Sequence, residues 1–392
     1  MSKRSRYIWL WLGTLLMLPM LLTVFVSCSS DDEPKATPML NIYVYAPDRP
    51  AVTRGEINPT EEEAIIHNLQ IWVFSSSKPS RKLASLTLTR ESELQGLNKN
   101  KSATYSIAVT DHRFAENPEP VDVYVLANVL NNNGTNTLSS VTSSEDLDEA
   151  VFNGGDFYSF WSSATHQALT TVPSDKGVPM SGVARGKSVI DKNNVLHIND
   201  ANLKLLRTVS KVRFVFSSLK NEKRLCLDGV ELNTGMMYQN VRFFLDDAHP
   251  HYWVEGNLSS WPVRLVESDL SNPVAQNDDP TAYAISSTMT DGEYEELIET
   301  GISKDELTEK GPIYLPESDK RLKGTIKYRL YDKNGYSEQK SASFSMVSGD
   351  FRRNQTWVVY AYYTGSSNLE ITTVKMTDWE IGGDGEHMIH NW

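Results

Sequence analysis

Disulfides are nearly excluded from the outset, because 392 residues contain two cysteines, Cys28 and Cys226. Cys28 closes an N-terminal apolar run, and if it is committed there Cys226 has no partner within the chain. A stapled framework of the kind that holds small secreted domains is ruled out, and stability has to come from packed cores. Cys226, in Arg-Leu-Cys-Leu-Asp-Gly-Val, reads as a small buried hydrophobe rather than a reactive thiol. Positive charge is also short: 38 Lys and Arg face 50 Asp and Glu, a net charge of -12. An acidic surface argues against non-specific nucleic-acid binding and suits a secreted protein.

Catalytic signatures are missing too. The sequence has no G-x-S-x-G and no H-E-x-x-H. Arg185-Gly186-Lys187-Ser188 echoes a phosphate-binding loop, but Gly182 and Gly186 have three residues between them instead of four, and no clear helix follows. The eight histidines are scattered, with His249-Pro250-His251 and His387-Met388-Ile389-His390 the close pairs. Pro250 holds the first pair extended, which sends both rings to one face and leaves a metal open. Neither pair has cysteines or a dense carboxylate cluster beside it, so both read as surface histidines. The acidic runs Glu61–Glu63, Asp246-Asp247 and Asp278-Asp279 lack calcium-loop spacing and read as a helix start and solvated loops. Trp161, Tyr252, Trp253 and Trp261 could stack on sugar rings, but such residues more often fill a sandwich core or its rim. No catalytic residue, metal or cofactor is assigned, and the chain is read as a non-enzyme.

What is present concentrates near the N-terminus. Lys3, Arg4 and Arg6 precede the apolar run Tyr7–Val26, and Ser27-Cys28 follows it. A small residue before cysteine ends a bacterial lipoprotein signal, so residues 1–27 are read as the leader and Cys28 as the lipidated residue. An uncleaved anchor helix, for which 20 residues suffice, and simple secretion are the other readings. Residues 28–39 form an acidic tether. Leu40, Ile42 and Val44 then alternate with Asn41, Tyr43 and Tyr45, the period of a half-buried strand. Beyond it Arg54-Gly55 lies in a polar, proline-flanked segment. A strand that joins a sheet next to an exposed cleavage site can be removed.

The rest alternates with period two. Strands are expected at 68–74, 83–89, 103–109, 121–129, 203–216, 325–332, 355–363 and 368–381, with a hairpin turn at Asp332-Lys333-Asn334-Gly335. Ser143 and Asp146 form a capping box for a short helix. The segments CLDGVELN and MMYQNVRFF could pair, and 267–312 reads as loop with one short helix. Strands dominate, helices are few, and turn signals recur at sandwich spacing. The expected fold is therefore all-β, two tandem β-sandwich domains over 40–200 and 201–392.

Several phrases occur in a fixed order: Cys28 with its acidic tail, VTRG (52–55), NLQIWVF, VDVYVLANV, VPMSG, LLRTVSKVRFVF, IYLPE (313–317) and FRRNQTWVV (351–359). The whole pattern resembles the Bacteroidales fimbrillin family, lipoprotein-derived subunits of type V pili. The resemblance implies transthyretin-like, Greek-key sandwiches, transit to the outer membrane as a lipoprotein, and an extracellular fimbrium. It implies that an Arg-specific protease cuts Arg54-Gly55 and frees the strand Leu40–Tyr45. The partners it implies are neighbouring pilus subunits joined by strand insertion. The donor would come from Ile371–Trp392, with Ile371, Val374, Met376 and Trp379 as its apolar set; an ordinary last strand is the alternative. Gly55 stands where the family pattern would have a residue such as Ala. Other roles stay open: shaft, tip, lipid-anchored assembly subunit, or a lipoprotein that binds a glycan or a host or bacterial surface ligand.

Overall fold

Alternating strands and strands buried on both faces build the molecule. The structure is a computed structural model, and it describes residues 38–46 and 63–378 apart from short interior stretches such as 130–137 and 154–160. Cys28, Arg54, Gly55, Trp379, Trp261 and the His387–His390 pair lie outside the described residues. The first part of the chain forms β1 (Met39–Tyr45), β2 (Leu69–Ser75), β3 (Lys82–Leu88), β4 (Ser102–Ala108), β5 (Val121–Ala127), β6 (Val151–Asn153), β7 (Trp161–Ser162), β8 (Gln167–Ala168), β9 (Met180–Lys187), β10 (Val189–Lys192), β11 (Val195–Ile198), β12 (Leu203–Lys204) and β13 (Leu206–Arg207). The second part forms β14 (Val209–Leu219), β15 (Arg224–Leu232), β16 (Asn240–Arg242), β17 (Val263–Arg264), β18 (Gln276–Asn277), β19 (Thr308–Pro316), β20 (Lys323–Tyr331), β21 (Ser337–Ser345), β22 (Gln355–Tyr363) and β23 (Glu370–Asp378). Among the described residues the α-helices are α1 (Glu91–Asn100), α2 (His112–Glu116), α3 (Ser144–Asp148) and α4 (Asp291–Ser303).

Two sheets come from the first part. One runs β10-β11-β1-β12, with β4 on the other edge of β1; the second runs β13-β9-β5-β2-β3. Their inward side chains, among them Leu40, Ile42, Val44, Ile71, Val73, Val123 and Val125, belong to one buried apolar cluster, as a sandwich requires. The chain passes from β12 to β13 within three residues, and here the sheets come close. A Cβ on Gly182 would stand 2.7 Å from the Lys204 carbonyl oxygen, so this position in VPMSG has room for hydrogen alone. Helix α1, which the alternation did not anticipate, buries Leu94 and Leu97 on one face and ends at Lys101 in the left-handed region (φ 61).

Two further sheets come mainly from the second part. One runs β18-β14-β22-β23 with β19 also on β14; the other runs β21-β20-β15-β17-β8-β7. Strand β14 is buried on both faces. Val212, Phe214 and Phe216 enter the main core, while Val215 joins Tyr294 and Ile298 of α4 and Tyr360 and Tyr362 of β22 in a second cluster. Burial on both faces explains why Lys211 and Arg213 carry charge yet are 2% exposed. Arg213 Nε bonds Glu309 Oε1 at 2.7 Å. Burial pushes the Glu309 carboxyl up, and Arg213 overrides it, holding the group below the usual carboxylate range.

Three sequence expectations change. CLDGVELN pairs with β17 and β20 instead of MMYQNVRFF, whose β16 joins β6. The stretch 267–312 contains the 13-residue α4 and the start of β19, because Tyr294 and Ile298 find an apolar sheet face to cover. Glu63, read only as part of a helix start, is fully buried among charged and polar partners. The hairpin turn at Asp332–Gly335 and the Ser143–Asp146 capping box form as expected, with Gly335 at φ 78.

Candidate strand-exchange groove

Strand β1 is an internal strand. Along one edge it runs antiparallel to β4 over its full length, from Met39 opposite Ala108 to Tyr45 opposite Ser102. Along the other it is parallel to β11 at Leu40 and Asn41, and to β12 at Val44 and Tyr45. Leu40, Ile42 and Val44 are 0% exposed, whereas Tyr43 and Tyr45 are 46% and 40% exposed. The alternation read from the sequence is the alternation the strand adopts. Leu40 lies between Ile107 and Leu196, Ile42 opposite Tyr105, and Val44 between Ala103 and Leu203. Burial of three aliphatic side chains contributes about 5–9 kcal/mol by area. Without β1, β4 loses its whole ladder on one side, and β11 and β12 lose their shared neighbour. That leaves an apolar groove rimmed by unpaired backbone groups, which an equivalent strand would fill. Burial, then Glu93, push the Tyr105 phenol in this groove up to about 12.

The first residue described after 47–62 is Glu63, and it is pinned. Its carboxylate lies 3.2 Å from Lys211 Nζ and accepts a hydrogen bond from the Tyr314 hydroxyl. Its carbonyl accepts from Arg207 Nε at 3.1 Å. Nearby, Arg353 bonds Glu317 at 3.3 Å, Ser181 Oγ at 3.2 Å and the Arg242 carbonyl at 2.8 Å. Its guanidinium carbon sits 3.2 Å from the Tyr252 ring centre. Thus VPMSG, LLRTVSK, IYLPE and FRRN meet in buried polar contacts that tie β9 to β14, β19 and the segment before β22. Sequence reasoning read Glu63 only as part of a helix start and assigned no buried polar role to Arg207, Lys211, Tyr314 or Arg353. The available signal was the basic residues set inside apolar strand patterns.

The remaining sequence candidates disperse. Ile371 stands on β23, an edge strand antiparallel to β22, and packs partly against the core. Val374 and Met376 share that strand. His249 Nδ1 contacts Asp246 Oδ1 at 2.8 Å, while His251 stacks on Trp253 at 4.5 Å, so the two rings have separate partners. Among the described residues no group of three or more His, Cys, Asp or Glu gathers as a metal site. Trp253 also stacks on Tyr238 at 6.0 Å, and Tyr252 lies under Arg353, so their ring faces are engaged within the chain. Trp161 lies on β7, which belongs to a different sheet from β16. Arg185 pairs with Asp148 at 2.6 Å and bonds the Leu245 carbonyl at 2.7 Å, a structural use of the phosphate-loop echo. Cys226 is a half-buried free thiol that burial pushes up.

Comparison with solved structures is informative at the level of fold. A candidate cell adhesion protein from Parabacteroides distasonis aligns over 87% of this chain and 97% of its own, at 15% identity and TM-score 0.53. Another from Bacteroides eggerthii aligns over 87% and 95%, at 15% identity and TM-score 0.50. The chain carries their fold. The tip fimbrial protein Mfa3 of Porphyromonas gingivalis, C-terminally truncated, aligns over 87% and 99%, at 14% identity and TM-score 0.49. No family model and no curated protein matches the sequence. Among the described residues no helix is long and apolar enough to cross a membrane.

Proposed function

We propose that this chain is a surface pilus subunit, and that β1 is a removable strand whose place is taken by a strand of a neighbouring subunit. The observation that carries the reading is the position of β1. It is internal to its sheet, it supplies three fully buried side chains, and 47–62, which contains Arg54-Gly55, separates it from the pinned Glu63. A cut there separates β1 covalently from the rest of the fold while Glu63 stays held. The ordered phrases of the fimbrillin family and the shared fold with cell adhesion proteins point the same way.

In this reading residues 1–27 direct export, Cys28 carries lipid at the outer membrane, and an Arg-specific protease cuts Arg54-Gly55. The segment with Leu40, Ile42 and Val44 is then displaced, and subunits join head to tail, an open arrangement that builds a filament supporting adhesion. Ile371, Val374, Met376 and Trp379 are the donor set. Because residues 370–378 already form edge strand β23, donation requires release from β22 or a strand from beyond residue 378. In this reading 40–200 and 201–392 act as the two domains of one subunit, with β12 and β13 (203–207) completing sheets of the first part and β7 and β8 extending a sheet of the second.

The test is limited digestion of the leaderless protein with an Arg-specific protease. Readouts are N-terminal sequencing, unboiled gel electrophoresis and negative-stain microscopy. A new N-terminus at Gly55 with a ladder of oligomers is expected. Clean monomer after loss of residues 28–54 would remove the self-polymerising reading and favour an anchoring subunit.

A further inference from the structure

The β1 position is selective about register as well as shape. We propose that Ser106 and the carboxyl end of α1 set the register of any strand that occupies it. The groove then accepts a seven-residue extended segment antiparallel to β4, with aliphatic side chains at its second, fourth and sixth positions and an amide or carboxylate acceptor at its third. This rests on the strand-exchange reading above.

A slip of one residue would turn Asn41, Tyr43 and Tyr45 into the core, so the apolar alternation forbids it. Slips of two residues keep the buried face and need another barrier. In the observed register Ser106 Oγ donates to Asn41 Oδ1, and the two residues are directly opposed. A slip in one direction sets Asn41 opposite Ala108, which has no hydroxyl. In the other direction Asn41 meets Thr104, whose hydroxyl could replace Ser106, but the end of the strand is driven past Ser102 into α1. There the Ala46 amide donates to the carbonyl of Lys101, the left-handed cap of that helix, at 2.9 Å. Beyond Lys101 the backbone is helical and offers no extended ladder. The Leu205 amide, donating to the Tyr45 carbonyl at 2.9 Å, fixes the same end from the opposite edge. One side chain therefore blocks one slip and one helix terminus blocks the other.

The test uses the full chain after cutting, with the severed β1 segment still seated, and measures its exchange for labelled peptides spanning residues 39–45. The parent peptide and an Asn41→Asp peptide are expected to enter with similar affinity. An Asn41→Leu peptide should bind about three- to tenfold more weakly, and Ser106→Ala in the protein should abolish that difference. In a Cys226→Ser background, an Asn41→Cys peptide should form a disulfide with Ser106→Cys and not with Ala108→Cys or Thr104→Cys. Equal binding of the Asn41→Leu peptide, or cross-linking at Ala108 or Thr104, would overturn the register assignment while leaving strand exchange intact. Failure of every peptide to enter would overturn both.

Discussion

Glu63→Leu is expected to be among the most damaging single substitutions outside the apolar core. Glu63 is 0% exposed and Lys211 2%, with 3.2 Å between Nζ and Oε1, and Tyr314 donates to the same carboxylate. Removing the carboxylate takes from the buried Lys211 ammonium the charge 3.2 Å away and from the buried Tyr314 hydroxyl the oxygen it donates to. Breaking a buried pair from one side costs about 3–5 kcal/mol, whereas replacing both partners with apolar groups is often neutral. In a chain of this size that single loss corresponds to a fall in Tm of about 4–7 °C. The double variant Glu63→Leu, Lys211→Met should recover most of it, giving a coupling of about 2 kcal/mol or more. The assay is thermal and urea unfolding of the leaderless, uncut protein for wild type, both single variants and the double. Single variants within about 0.5 kcal/mol of wild type, the range of surface changes, would refute a buried and coupled pair.

Other outcomes follow from the same geometry. Ile42→Ala should lower the stability of the uncut protein by about 2–5 kcal/mol and speed release of the severed strand; unchanged release would count against β1 as an internal strand. Gly182→Val should prevent native folding, read as loss of the cooperative unfolding transition, because the Lys204 carbonyl oxygen lies 2.7 Å from the new Cβ. Acid should weaken the fold through Glu309. Its carboxyl is held below the ordinary range in the folded state, so its contribution is complete above the unfolded value and is lost as pH falls through the folded one. Glu309→Gln should flatten that part of a Tm-against-pH curve between neutral pH and the acid transition. Displacing β1 should bring the Tyr105 phenol down from about 12 towards 10.0, seen as the wild-type minus Tyr105→Phe difference in an alkaline absorbance titration.

Local pattern reached far in this chain. Leu40, Ile42 and Val44 alternate with polar or exposed neighbours, and that alone identifies a strand with one buried face. The same holds for Ile326, Tyr328 and Leu330 of β20, and the apolar run Ile71–Phe74 of β2 announces a strand covered on both sides. Turn and cap chemistry is equally local, as at Asp332–Gly335 and Ser143–Asp146, since each depends on contacts within a few residues. Helix α4 was harder to place because its stretch is acidic, and its burying residues Tyr294 and Ile298 have meaning only against the face of β14 and β22.

The sequence by itself determined the all-β character, the faces that β1 and β20 bury and the presence of a removable-looking strand before Arg54. Periodicity and turn residues act over short spans and need no knowledge of neighbours. Only the tertiary structure decided that β1 is internal to its sheet, because pairing with β4, β11 and β12 depends on residues more than fifty positions away. It alone decided that Glu63 is a buried anchor, since its partners Lys211 and Tyr314 are 148 and 251 residues distant. A carboxylate beside other carboxylates looks solvated until a cation and a hydroxyl are brought to it, and long-range strand order is what brings them.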